Sequence, residues 1–358
     1  MTAAERANAF IRLGDFLGAY LQRIPPDPGD LPDTDMDDAV MTSAIRSAMS
    51  GNPWFIFPHM VLSLQSIAAS LNAGEVERFL QSYINEIKET NHPVTVSVIM
   101  AGNVPLVGFH DFFCVLLSGN QFAGKLSSDD RHLLPALARL LVRWYPELES
   151  LIIFHEGILT HFDAVIATGS NNSARYFEYY FGQYPHIIRK NRNSMAVLNG
   201  SESPEDLVNL GADIFTHFGR GCRNVSRLFL PAGYSPDSMF RHWSYYKYVM
   251  DHHKYRNNYD YHKSVFIINN IPFLDNGHIL LTEDPAPSSP IAVLRYGYYN
   301  DMSEIHTFFG QHQEMIQCIV SNDPSLPGRI PFGKAQAPSL GDFADRIDTM
   351  KFLICHGR

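Results

Sequence analysis

Cysteine is scarce in this chain: four in 358 residues, at positions 114, 222, 318 and 355, with no CxxC pair among them. That spacing excludes a disulfide scaffold or a zinc ribbon, and reduced thiols in a cytoplasmic setting are expected. Basic charge is also short, with 28 Lys and Arg against 37 Asp and Glu and a net charge of -9. No nucleic-acid partner is expected, because such affinity rests on neutralising phosphates. The basic and aromatic segment from Tyr245 to Lys263 is too short to change this, and is read as a solvated helix and loop face. Long hydrophobic runs are missing. The most apolar stretch, Val94 to Leu117, is broken by Asn103, His110 and Asp111, and the N-terminus has no signal-type run, so no membrane span is expected. A Gly-x-Gly-x-x-Gly turn is absent too: after Gly219 and Gly221 the last position holds Asn224. His252, His253 and His262 lie close together, but no acid or cysteine completes a ligand spacing, and no metal is expected.

What is present is core material, with 45% hydrophobic and 18% charged residues. At this length two domains, and hence a cleft, are expected. Phe10, Leu13, Phe16, Leu17 and Leu21 recur at helical spacing; after a Pro/Asp-rich linker from Pro25 to Asp38, further helices are expected over 38–50, 58–70 and 74–87. At Pro93 the pattern changes. The β-branched run from Val94 to Met100 fits a buried strand, followed by helix 107–117, strand 121–126, helix 129–144, strand 164–167 and a helix through Phe181. Strands alternating with helices imply an α/β fold with mostly parallel sheets. A second α/β unit is expected beyond residue 200, with strands over 227–230, 265–269, 279–282 and 291–295 and helices near 237–250 and 303–310. The expected division is a helical region 1–92 packed on the cofactor domain, a dinucleotide-binding domain 93–200, a catalytic domain 201–335 and a C-terminal return 336–358.

One stretch suggests covalent chemistry. Gly219-Arg220-Gly221-Cys222-Arg223-Asn224 sets a cysteine between glycines and arginines just before a strand. Guanidinium charge favours the nucleophilic thiolate, and glycines leave amide N–H groups able to hold an oxyanion. Open parallel sheets bind ligands at the carboxyl ends of their strands, so a nucleotide is expected on the loops 102–105, 125–128 and 168–173. Gly169 and Ser170 stand at a helix start, where amide groups favour pyrophosphate, although Ser170 could simply cap that helix.

The order of these pieces resembles the aldehyde dehydrogenase superfamily: Asn103-Val104-Pro105-Leu106, Ser118-Gly119-Asn120, Lys125-Leu126-Ser127-Ser128, Gly169-Ser170, Gly221-Cys222, then Pro331-Phe332-Gly333. Within it the chain is most similar to the acyl-CoA reductases of bacterial bioluminescence fatty-acid reductase complexes, over roughly Pro93 to Phe352. The resemblance implies Cys222 as nucleophile and Asn103 as side-chain oxyanion donor. It implies that Lys125 holds the adenosine ribose, with Ser127 and Ser128 following it, and that Gly169 and Ser170 meet the pyrophosphate. Glu283 is the candidate for the nicotinamide ribose, although the segment that usually contains that acid is blurred from Glu283 to Pro290. Residues 331–333 resemble the segment closing the catalytic domain, and residues 349–354 the strand through which family members dimerise.

Two departures carry chemistry. Where hydrolytic members have a glutamate base this chain has Arg189, so water is poorly activated and reduction of an acyl-enzyme is favoured. After Lys125 the family's Pro-Ser-Glu is replaced by Leu126-Ser127-Ser128, which makes NADPH at least as plausible as NADH. The resemblance thus implies NAD(P)H-dependent reduction of an acyl-CoA thioester to an aldehyde, in a homodimer or larger homo-oligomer, with an acyl-activating ligase as a possible partner. The alternatives are aldehyde oxidation, acyl-phosphate reduction, or a non-catalytic nucleotide-binding scaffold.

Overall fold

The computed structural model describes residues 1–25, 28–87, 93–157 and 159–356, so parts of the Pro/Asp-rich linker and of the approach to Pro93 lie outside the described residues. The chain divides into two units, residues 1–190 with 338–358 and residues 191–337.

Four helices open the first unit: α1 (Ala3–Gln22), α2 (Met36–Gly51), α3 (Phe57–Ser70) and α4 (Ala73–Gln81). Thr2 starts α1 through a reciprocal capping box with Glu5, which satisfies two N–H groups that the helix leaves unpaired. Gly14 is required by packing, since a Cβ there would lie 2.6 Å from that of Leu71. The buried face of α1 carries Phe10, Leu13 and Leu17. Burying each such side chain contributes about 2 kcal/mol.

A parallel βα succession follows: β1 (Thr95–Ile99), α5 (Phe109–Leu117), β2 (Gln121–Lys125), α6 (Leu133–Trp144), β3 (Ile152–Phe154), β4 (Ala164–Thr168), α7 (Asn171–Phe181) and β5 (His186–Arg189). The five strands pair in the order β3-β2-β1-β4-β5, all parallel. Helix α5 is apolar on nearly every face because α1 and α4 cover what the sheet leaves open. Phe10 of α1 meets Phe113 edge-on at 4.8 Å, and Phe79 of α4 lies 5.6 Å from the same ring.

The second unit contains β6 (Asn193–Val197), α8 (Pro204–Phe215), β7 (Val225–Pro231), α9 (His253–Ile268), β8 (Leu274–Asp275), β9 (Leu280–Glu283), β10 (Val293–Tyr299), α10 (Met302–Gln311) and β11 (Ile316–Val320). Its sheet runs β11-β6-β7-β10-β9-β8, parallel except for β8. On one side α8 packs against a 3-10 run over Pro236–Asp251, with the Trp243 indole N–H donating to the Leu207 carbonyl. On the other side Met195, Val197 and Phe229 pack with Ile305 of α10. The chain then returns to the first unit, ending in α11 (Thr349–His356).

The α/β class with parallel sheets and a helical N-terminal region agrees with expectation, and four details differ. Strand β6 belongs to the second sheet, so the first unit ends at Lys190 rather than at residue 200. Residues 265–268 are the last turn of α9 and not a strand; a four-residue apolar run fits either periodicity, and here the Asn269 N–H donates back to the Val265 carbonyl. Residues 349–354 are helical rather than a strand, with Thr349, Met350 and Leu353 buried in the first unit's core. Short β3, β5 and β11 have too little pattern to stand out in sequence.

Candidate active site

In the first unit the register sets three carboxyl ends level. Ile99 of β1 pairs with Lys125 of β2 on one side and Ala167 of β4 on the other, so the loops bearing Asn103, Ser127 and Gly169 leave the sheet at one edge, where strand order reverses. Asn103 is half-buried in a bend. Its loop is locked to the next one. Gly102 sits so close to Ser127 and Asp129 that a Cβ would approach within 2.6 Å of the Ser127 hydroxyl, and the Leu106 N–H, at a φ of 61°, donates to the Asp130 carboxylate at 2.6 Å. Burial raises the Asp130 carboxyl to about 6, and its second oxygen, also buried, has no hydrogen-bond partner.

Lys125 and Ser127 are half-buried and Ser128 is exposed. Ser170 caps α7, its hydroxyl accepting from the Ser173 N–H at 3.1 Å. Gly169 is needed for that same contact, because a Cβ would come 2.8 Å from that of Ser173. Hydroxyls, an ammonium group and the start of an eleven-residue helix at one sheet edge form a donor set that fits a phosphate-bearing ligand.

Arg189 ends β5 and turns inward. Its guanidinium meets the Asp111 carboxylate at 2.6 Å and donates to the Thr349 hydroxyl at 3.0 Å, all buried. A side chain so occupied supplies no general base. His110, next in sequence to Asp111, instead contacts the Leu340 carbonyl through Nε2 at 2.8 Å, so the two residues do not form a dyad.

In the second unit Cys222 is exposed and in no disulfide, on a turn just before β7. The approach is strained: His217, Phe218 and Gly219 take φ of 52°, 59° and 73°, a left-handed run that only glycine adopts at no cost. Burial, with Arg220 beside it, pushes the His217 imidazole down to about 4, so it is neutral. Asn224 holds the bend. Its buried side-chain amide donates to the carbonyls of Asp213 at 3.0 Å and Thr216 at 2.8 Å, and its Oδ1 accepts from the Gly221 N–H at 2.8 Å. Ser194 of β6 donates its hydroxyl to the Cys222 carbonyl at 3.0 Å. Arg223 is anchored through Nε to the Ala335 carbonyl.

Glu283 lies at the carboxyl end of β9, exposed, on a cavity of about 610 Å³ that Arg227, Phe273, Leu274, Tyr296 and Tyr298 also line. The Arg227 guanidinium lies beneath, donating to the carbonyls of Asp284 and Ala286, with burial lowering it to about 10. Among the described residues no three His, Cys, Asp or Glu side chains gather as metal ligands. Nor, among the described residues, is any helix long and apolar enough to cross a membrane.

Residues 78–235, which include Asn103, Lys125, Gly169 and Cys222, match the family model described as acyl-CoA reductase (LuxC). That stretch, a little under half of the chain, is similar to the acyl-CoA reductases. Solved structures agree on the fold. An NADP-dependent enzyme from E. coli superposes with a TM-score of 0.65 at 12% identity, covering 91% of this chain and 74% of that one. An aldehyde dehydrogenase from Bacillus cereus, determined with NAD+, gives 0.60 at 12% identity, covering 92% and 78%. A variant of aldehyde dehydrogenase C from Pseudomonas syringae, complexed with NAD+ and octanal, gives 0.60 at 11% identity, covering 93% and 79%. Among curated proteins no relative matches the chain.

Sequence reasoning singled out Cys222 but not the groups that hold its turn. Asn224, Ser194, Asp213 and Asp130 were not singled out. The signal was faint: Asp213 falls on the apolar face of α8 between Leu210 and Ile214, where an acid must have a buried task.

Proposed function

We propose that the chain reduces an acyl-CoA thioester to an aldehyde through an acyl-cysteine on Cys222. The observation that carries this is an exposed thiol on a braced turn, within the stretch that matches the acyl-CoA reductase family. The Cys222 thiolate attacks the thioester carbonyl carbon, the carbon–sulfur bond to CoA breaks, and CoA leaves as a thiolate that takes up a proton. Asn103 is the proposed side-chain donor to the oxyanion, with the Cys222 backbone N–H as the second. The dinucleotide's proposed contacts are Lys125, Ser127, Ser128, Gly169, Ser170 and Glu283, and when bound it supplies the hydride that releases the acyl group as aldehyde. Hydrolysis is disfavoured, since Arg189 is committed to Asp111 and no base stands in its place. NADPH is at least as good a candidate as NADH, because Leu126, Ser127 and Ser128 carry no carboxylate to repel a ribose 2′-phosphate.

Intact-mass analysis after mixing with acyl-CoAs of increasing length tests the reading. An acyl adduct on Cys222, absent from Cys222→Ala, is expected; aldehyde release by Cys222→Ala overturns it. The ratio of kcat/KM for NADPH and NADH tests the cofactor preference separately.

A further inference from the structure

Asp213 is a buried carboxylate on α8 with both oxygens in use. Oδ2 accepts from the Gly333 N–H at 2.6 Å and Oδ1 from the Ala335 N–H at 3.0 Å, while its backbone carbonyl accepts from Asn224. The Ala335 carbonyl in turn receives the Arg223 guanidinium. The result is a closed ring running from the Asp213 carboxylate through residues 333–335 to Arg223 and Asn224, then back to the Asp213 backbone. Cys222 is the residue just before the two that the ring grips. Gly333 fits because its φ of 79° suits glycine and a Cβ would come within 3.0 Å of that of Asn209.

We propose that Asp213 is a positioning residue for the Cys222 thiol, its carboxylate clamping the 333–335 segment against the nucleophile turn. This rests on Cys222 being the nucleophile. The clamp needs the ionised form, since a protonated carboxyl turns one acceptor into a donor facing an amide N–H. Burial raises this carboxyl to about 7, the two amide hydrogen bonds and Arg223 opposing the rise. The groups facing it are Arg223 on the turn and the Tyr246 phenol of the 3-10 run. Acidification through pH 7 therefore loosens the turn.

The test compares wild type, Asp213→Asn and Arg223→Lys in two assays. One is acyl-CoA reduction across pH 6 to 9. The other is iodoacetamide labelling of Cys222, read by mass against Cys355 in the same molecule, with melting curves to show that each variant is folded. Asp213→Asn is expected to lower kcat and the Cys222 labelling rate about tenfold or more, to leave KM for acyl-CoA within about twofold, and to leave only the shallower fall in rate on acidification that protonation of the thiol itself produces. Arg223→Lys keeps the charge beside the thiol but loses the bond to Ala335, and is expected to show a smaller loss of about threefold. If Asp213→Asn does not fold, the Arg223→Lys result decides. A folded Asp213→Asn with wild-type kcat, pH profile and labelling overturns the proposal. If wild-type Cys222 takes no acyl group, the functional reading fails, while the labelling comparison still decides whether Asp213 positions the thiol.

Discussion

At the carboxyl edge of the first sheet, Lys125, Ser127, Ser128 and Ser170 stand exposed or half-buried, and the bonds made by the serines themselves are short-range, Ser170 to Ser173 and Ser127 to Asp129, with longer ones from Leu106 and Asn52 behind them. Around Cys222 the braces come from far along the chain, from Ser194, Asp213 and Ala335. The difference follows the chemistry proposed for each. A dinucleotide must bind and leave, so its donors need only converge. A nucleophile must meet a carbonyl carbon at bonding distance, and small misplacements are costly.

The sharpest way to break this comparison is to remove the thiol. Cys222→Ala is expected to lower aldehyde formation at least about a thousandfold with its melting temperature unchanged, read by steady-state kinetics and calorimetry. Next comes the bend itself. Asn224→Ala leaves buried carbonyls at Asp213 and Thr216 unpaired, and a loss of about 3 kcal/mol is expected in urea titrations, with slower alkylation of Cys222.

The first unit's edge has a buried carboxyl anchor, Asp130. Its folded carboxyl is raised to about 6 from an ordinary 3.8, so wild type carries no penalty below about pH 4 and loses stability as pH rises through 6. Asp130→Asn keeps an acceptor for the Leu106 N–H without the buried charge. It is expected to be about 2 kcal/mol more stable than wild type at pH 8 and equal to it near pH 4, by denaturant unfolding at both. Smallest is the loss of one converging donor. Lys125→Met is expected to raise KM for the dinucleotide about tenfold with kcat within twofold; a collapse of kcat instead would mean that this edge is as finely set as the Cys222 turn.

Much of the fold was legible because the βα units from Val94 to Phe181 alternate cleanly between a two-residue and a 3.6-residue period. Cys222 stood out because it lies between glycines and arginines and falls in the order of motifs that the resemblance supplies. The end of α9 was not, since Val265 to Ile268 suits a strand or a helix equally. Nor was α11: its apolar spacing at 349, 350 and 353 gains meaning only once packed on the first unit's core.

Residue order by itself settled the α/β class, the helical first quarter and the place of the thiol, all of which are local pattern. Only the tertiary structure decided that Arg189 is spent on Asp111, that β6 belongs to the second sheet, and that Asp213 and Asn224 grip the Cys222 turn. These are pairings between residues tens to more than a hundred positions apart, or between a side chain and a backbone group that every residue carries. Composition and periodicity hold no trace of such pairings, because they come into being only when packing removes water and each buried polar group must find a partner.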